Sequence, residues 1–290
     1  MSDGPEISIG LPVYNGDKYL DQAITSIASQ SFSDFELIIA DNCSTDDSLM
    51  IAKSWAEADS RIRVLESEEN LGAAPNFNRV FRASTGEYFK WAACDDILQQ
   101  DFLEKCIRQF EARPDTVLVY SDALDIDDNG AVIGPIYDSG LSMRVDSDDP
   151  VTRFRDLVLP NHSCIAVFGL MRRSILDESG LIGPFVGSDR VLLAQLALMG
   201  PFSRINEPLI LHREHSDRST RSIPRPQDRL SWFDSSLTKS RVFPHWRILT
   251  EYVSCVLSAR LTMRHKVRSC VHLLRWIRWG GWRNLWEDLF

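Results

Sequence analysis

Apolar residues recur along this chain with two periods. Ile7, Ile9 and Leu11 alternate before Pro12 breaks the run, which predicts a strand over 6–12 and a loop at Val13-Tyr14-Asn15-Gly16. Leu20, Ala23, Ile24, Ile27 and Ala28 then fall at helical spacing. The almost unbroken apolar run Phe35 to Ala40 reads as a parallel strand covered on both faces, and it ends in acid at Asp41. Asn42 to Asp47 supplies capping residues for a helix through about Ala58. A third strand is predicted at Ile62 to Leu65, and a helix carries Phe77, Val80 and Phe81. The fourth strand, Tyr88 to Ala92, runs toward the adjacent carboxylates Asp95 and Asp96. Strand and helix alternate about every 25 residues, so a parallel sheet is expected, with its polar strand ends on one rim where ligands gather.

Further along, Phe102 to Phe110 is predicted as a helix and Thr116 to Tyr120 as a fifth strand. Asp127-Asp128-Asn129-Gly130 is a hairpin signal that leaves the earlier rhythm and predicts an antiparallel addition. Ile165 to Met171 reads as a strand, Val191 to Met199 as a helix opened by Gly187-Ser188-Asp189, and Pro208 to Leu211 as a short strand leading to His212 and His215. Two prolines make Ser222 to Gln227 a candidate linker. The predicted division is a catalytic domain over 1–222 and a basic, Trp/Arg-rich helical region over 223–290.

Charge sharpens that division. The net charge of -9 conceals 20 Lys+Arg against 36 Asp+Glu in residues 1–224, and 12 against 5 in residues 225–290. The acidic majority and the lack of any recognised module argue against nucleic acid as a partner. Six cysteines without metal-ligand spacing suit a reducing compartment. The first residues carry no pattern of a secretory signal, and no apolar run is long enough to span a bilayer, so a cytoplasmic location is expected.

Candidate chemistry gathers where strands end in acid. Carboxylate oxygens suit Mg²⁺ or Mn²⁺, which use one or two of them plus substrate phosphates. Asp95 and Asp96 therefore read either as a cation site or as a solvated turn in which Asp96 caps the next helix. Asn70 and Asn76 read as turn and helix-start residues.

The ordered set Leu11-Pro12-Val13-Tyr14-Asn15-Gly16, Ile38 to Asp46, Asn70-Leu71-Gly72, Gly86-Glu87-Tyr88 and Cys94-Asp95-Asp96 resembles the family 2 glycosyltransferases. The resemblance implies an α/β, GT-A-like fold: a Rossmann-like, mostly parallel sheet flanked by helices, here with a C-terminal helical appendage. It implies inverting transfer from a nucleotide sugar, UDP-linked by this comparison, to a hydroxyl of a glycan or lipid-linked saccharide. Pro12, Tyr14 and Asp41 would hold the nucleoside, Asp95 would lie nearer the ribose, and Asp96 would bind Mn²⁺ or Mg²⁺ with His215 as a further ligand. Asp189 maps to the catalytic base. Each has a plainer reading, Tyr14 as packing, Asp41 as a turn holder and Asp189 as a first-turn helix acid. Ala93 replaces an acid that many members carry, and Ser188 replaces the acid before the base. A catalytically degenerate nucleotide-sugar-binding scaffold at the membrane surface and a nucleotidyltransferase are the alternatives. The Trp- and Arg-rich residues from Phe243 onward read either as a packed helical pair or as a peripheral membrane contact on the cytoplasmic face.

Overall fold

The computed structural model describes residues 4–136, 143–215, 232, 233, 235 and 243–288. The candidate linker at 222–227, and with it the boundary between 222 and 223, lies outside the described residues. Among the described residues nine strands form one sheet: β1 (Ile7–Val13), β2 (Phe35–Asp41), β3 (Ile62–Leu65), β4 (Tyr88–Trp91), β5 (Ile97–Leu98), β6 (Leu118–Ile126), β7 (Val132–Pro135), β8 (Leu170–Arg172) and β9 (Phe202–Arg213). Their spatial order is β3-β2-β1-β4-β8-β6-β9-β5, with β7 paired to β6.

The first four strands pair in parallel, so the residues that follow β1, β2 and β4 emerge on one rim, with Val13 beside Asp41. β8 enters antiparallel between β4 and β6, and β6 and β9 run parallel. Along β2 the side chains divide as a pleat requires. Leu37 and Ile39 join one apolar cluster with α1 (Asp17–Ala28), α2 (Ser48–Ala58) and α4 (Phe102–Ala112). Ile38 and Ala40 join the opposite one with α3 (Ala73–Ala83), α5 (Pro150–Val158), α6 (Arg173–Asp177) and α7 (Ser188–Met199). Such two-sided cover is why this strand reads as unbroken apolar sequence.

A third cluster lies outside the sheet. Tyr252, Cys255 and Val256 of α8 (Pro244–Ser258) and Leu273 of α9 (Met263–Trp276) pack on Phe154 and Val158 of α5 and on Val191, Ala194 and Leu198 of α7. A π-type turn (Ile277–Gly281) then leads to α10 (Trp282–Glu287). No helix among the described residues is long and apolar enough to cross a membrane.

Three expectations need revision. Asp96 does not cap a helix: two residues of β5 follow it, pairing with β9, and α4 begins only after Asp101. The strand predicted over 165–171 is a 3-10 turn (Ile165–Phe168) followed by the three residues of β8. Cys164 takes a left-handed backbone with φ 61°, which tips the chain out of extended geometry before the turn. The fifth strand continues past Tyr120 to Ile126 and enters the expected hairpin, where Gly130 N–H donates to Asp127 O at 3.0 Å.

Candidate active site

Two loops at the sheet rim are stitched together by short polar side chains. Thr45 N–H donates to Asn15 Oδ1 at 2.8 Å, Asn15 N–H to Ser44 Oγ at 3.0 Å, and Gly16 N–H to Ser48 Oγ at 2.9 Å. Asn15 and Cys43 both adopt left-handed backbone, φ 51° and 64°, the kind of local strain that clusters at functional sites. Pro12 is buried at the end of β1, and the Tyr14 side chain projects into solvent, 45% exposed. Asp41, 1% exposed, closes β2. One of its oxygens accepts Ser44 N–H at 3.1 Å, while Oδ1 is buried with no partner among the described residues. A buried carboxylate oxygen left bare is costly unless something outside the chain donates to it.

The asparagines predicted as capping, turn and helix-start residues also tie the loops together. Asn42 Nδ2 donates to Asn70 Oδ1 at 2.9 Å, Leu71 N–H donates to Asn42 Oδ1 at 2.9 Å, and Asn76 Nδ2 donates to Ala40 O at 2.8 Å. The loop after β3 is thereby fixed to the floor beside Asp41.

The segment between β4 and β5 lies against the first loop: a Cβ on Gly16 would stand 2.9 Å from Cys94 Sγ. Asp96 is 7% exposed and already engaged, with Oδ1 accepting Arg213 N–H at 3.0 Å and His212 Nδ1 3.0 Å from Oδ1 and 3.1 Å from Oδ2. Asp95 is the more open of the two, and His215 Nε2 lies 3.0 Å from its Oδ2. The pair expected from sequence, Asp96 with His215, is therefore not the pair that meets. His215 Nδ1 is buried without a partner among the described residues, and its ring packs on Tyr19 at 5.1 Å. Burial, then the neighbouring Asp96 charge, holds the Asp95 carboxyl above the usual range. Burial, then the Asp95 and Asp96 charges, holds the Cys94 thiol up. Next to this pair, Asp125 on β6, His212 and Glu214 bring ligand atoms within 4.8 Å of one another.

Arg213, 1% exposed, binds these pieces and was not singled out in the sequence. Its guanidinium donates to Asp95 O at 3.0 Å, Asp127 O at 3.0 Å, Asp128 O at 3.1 Å and Gln22 Oε1 at 2.6 Å, and it lies over the Tyr19 ring. Lys90, fully buried on β4, also escaped the sequence reading. It donates to Trp91 O at 2.8 Å, and burial holds its ammonium down to about 8.

Asp189 stands in the first turn of α7 and is held by separate contacts. Its Oδ1 accepts Arg190 N–H at 2.8 Å, and Arg190 in turn donates to Asn161 Oδ1 at 2.6 Å and His162 O at 2.7 Å. Gly187 before it has φ 85°, and a Cβ there would come 2.8 Å from Ile248 Cδ1 of α8. Ser188, in the place of an acid, is buried.

Comparison with known proteins identifies the fold and the family. GlyG, a glycosyltransferase of Streptococcus pneumoniae, is 33% identical over 113 residues, 39% of this chain and 38% of its own. For most of the curated relatives, the match covers less than half of their length. TarS of S. aureus, residues 1–349 in complex with UDP-GlcNAc, shares the fold with a TM-score of 0.67 at 17% identity, covering 94% of this chain and 73% of that one. The mannosyltransferase PcManGT of Pyrobaculum calidifontis, in complex with GDP-Man and Mn²⁺, follows at 0.55 and 15%, covering 99% and 85%. A family model described as glycosyl transferase family 2 matches residues 8–180, which takes in the strand-end acids and the loops stitched around them. Motif order, sheet topology and this match agree: the chain belongs to glycosyl transferase family 2.

Proposed function

We propose that the protein transfers a sugar from a UDP-linked donor to a hydroxyl of a glycan or lipid-linked saccharide, with inversion and with a divalent cation, Mn²⁺ or Mg²⁺. The observation that carries the donor half is the bare buried oxygen of Asp41 at the foot of the loop that presents Tyr14. A uracil N3–H would satisfy it, and the Tyr14 ring is free to cover the base. The UDP and UDP-GlcNAc complexes of TarS support the same choice of nucleotide.

For the cation we assign Asp95 and His215, with Asp96 behind them as a support. Asp96 is committed to Arg213 N–H and His212, whereas Asp95 is more open and faces a histidine. The donor set fits: the Asp95 carboxylate and the His215 imidazole stand 3.0 Å apart and would hold a divalent ion between them. When bound, the ion offsets the negative charge that develops on the departing diphosphate. Arg213 keeps the Asp95 backbone in place through its carbonyl. Asp189 accepts the proton of the acceptor hydroxyl as attack begins, which a free carboxylate on the opposite side of the anomeric carbon can do. Six free cysteines support a reducing, cytoplasmic setting.

Calorimetric titration tests the donor site. UDP is expected to bind more tightly with Mn²⁺ than without and better than GDP. Asp41→Asn should weaken it by about 10-fold or more, the worth of a charged hydrogen bond. Asp95→Asn should abolish the Mn²⁺ dependence, and Glu214→Gln should leave it; the reverse pattern would move the cation to the neighbouring group. Asp189→Asn should lower kcat by about 10²–10⁴ with UDP binding intact. An α-linked product from an α-linked donor, read by NMR, would overturn the inverting mechanism.

A further inference from the structure

The described C-terminal helices bury one side and leave another open. On α9, Ser269 and Leu273 face the body, while Met263, Val267, Val271 and Leu274 are 74%, 57%, 42% and 65% exposed. Their spacing of four, four and three residues makes one continuous apolar stripe. Beyond it the backbone leaves helical geometry at Trp279 and Gly280, and Trp279 and Trp282 stand 70% and 52% exposed. Exposed apolar side chains concentrated in this way, on a chain whose other surfaces are strongly acidic, mark an interaction surface.

Charge narrows the occupant. From Tyr252 to Trp286 there are seven Lys+Arg and not one Asp or Glu. Two of them are paired to the body, Arg260 with Glu178 and Arg268 with Asp149. At helical spacing Arg264 and Arg275 fall along one edge of the apolar stripe, Lys266 falls along the other, and Arg278 follows Leu274 by one turn. A helix with an apolar stripe edged by Arg and Lys and followed by tryptophans matches a bilayer boundary, with rings at headgroup depth and cations at the phosphates.

We propose that the exposed faces of α9 and α10 form a docking surface for an anionic lipid bilayer, with the helices lying in its plane. The surface is rigidly joined to the acceptor side of the enzyme, because α8 and α9 share their buried face with α5 and with α7, the helix that carries Asp189. It is independent of the donor chemistry proposed above.

Co-sedimentation of the full chain with vesicles tests it. The protein is expected to pellet with phosphatidylcholine vesicles containing phosphatidylglycerol, weakly with phosphatidylcholine alone, and less as salt is raised. Each cation near such a surface strengthens binding about fivefold, so Arg264→Glu with Arg275→Glu should weaken it by more than about 20-fold. Val267→Glu with Leu274→Glu should abolish it. Unchanged UDP titration and thermal melting of both variants would confirm that only the surface was altered. Equal, negligible binding of wild type to both vesicles would overturn the proposal. So would a concentration-dependent dimer that these variants dissociate, or binding to an oligonucleotide in place of vesicles.

Discussion

Lys90 carries the clearest electrostatic consequence of a single residue. Its folded pKa lies near 8, against an ordinary 10.5, because burial penalises the ammonium. Below about pH 8 both the folded and the unfolded chain keep the proton, and the folded state bears the full penalty. Between about 8 and 10.5 the folded chain has released the proton and the unfolded chain still binds it, so stability rises with pH. The interval corresponds to roughly 3 kcal/mol. Lys90→Met should therefore be more stable than wild type at pH 7, and the difference should shrink toward pH 10 in denaturant titrations. A difference that stayed constant with pH would contradict the burial account. Residues of this kind were the hardest to read in the sequence. Asp41, Asp95 and Asp96 stood out because an apolar run that ends in acid is visible in one dimension. Arg213 and Lys90 did not: the groups Arg213 touches come from several distant segments, and the burial of Lys90 depends on Phe102 of α4 lying against its ammonium, its hydrogen bond going only to the neighbouring Trp91 O.

At the scale of elements, β1 to β4 and their helices were legible because a doubly covered parallel strand and an amphipathic helix each leave a strong period. The second half follows weaker rules. α5 carried a readable start, Asp149 accepting from Val151 N–H with Pro150 in the first turn, but its short apolar pattern was passed over. The 165–171 segment has strand composition, yet Gly169 approaches β6 so closely that a Cβ would stand 2.5 Å from Val119 O, and only three residues pair. The junction of α7 with α8 rests on a similar close approach at Gly187. Gly187→Ala would strain a left-handed backbone and press on Ile248, so a loss of about 1–3 kcal/mol is expected in chemical denaturation. UDP affinity should hold while the acceptor KM rises, because the displaced residue precedes Asp189 by two positions. Unchanged stability would mean that α8 does not seat where the packing puts it.

The whole molecule is tied together by the third apolar cluster, which the sequence hinted at only through one of two readings of its basic tail, a packed helical pair. Tyr252, 1% exposed, packs edge-on to Phe154 at 6.1 Å and to Trp276 at 6.4 Å. Tyr252→Ala should cost about 3–5 kcal/mol, as large aromatic truncations in a core do. Hydrogen exchange read by mass spectrometry should then show faster exchange in α5 and α7 as well as in α8. Exchange confined to α8 would show the C-terminal helices to be a loosely attached module. The shared core also bears on how such enzymes can be recombined. A chimera that exchanged only the residues after 243 would carry Tyr252, Cys255, Val256 and Leu273 onto a foreign face. The transplantable unit instead includes their partners on α5 and α7, Phe154, Val158, Val191, Ala194 and Leu198, and so brings the helix of Asp189 with it. Inheritance of the tail and of the helix that carries Asp189 are thus linked by packing.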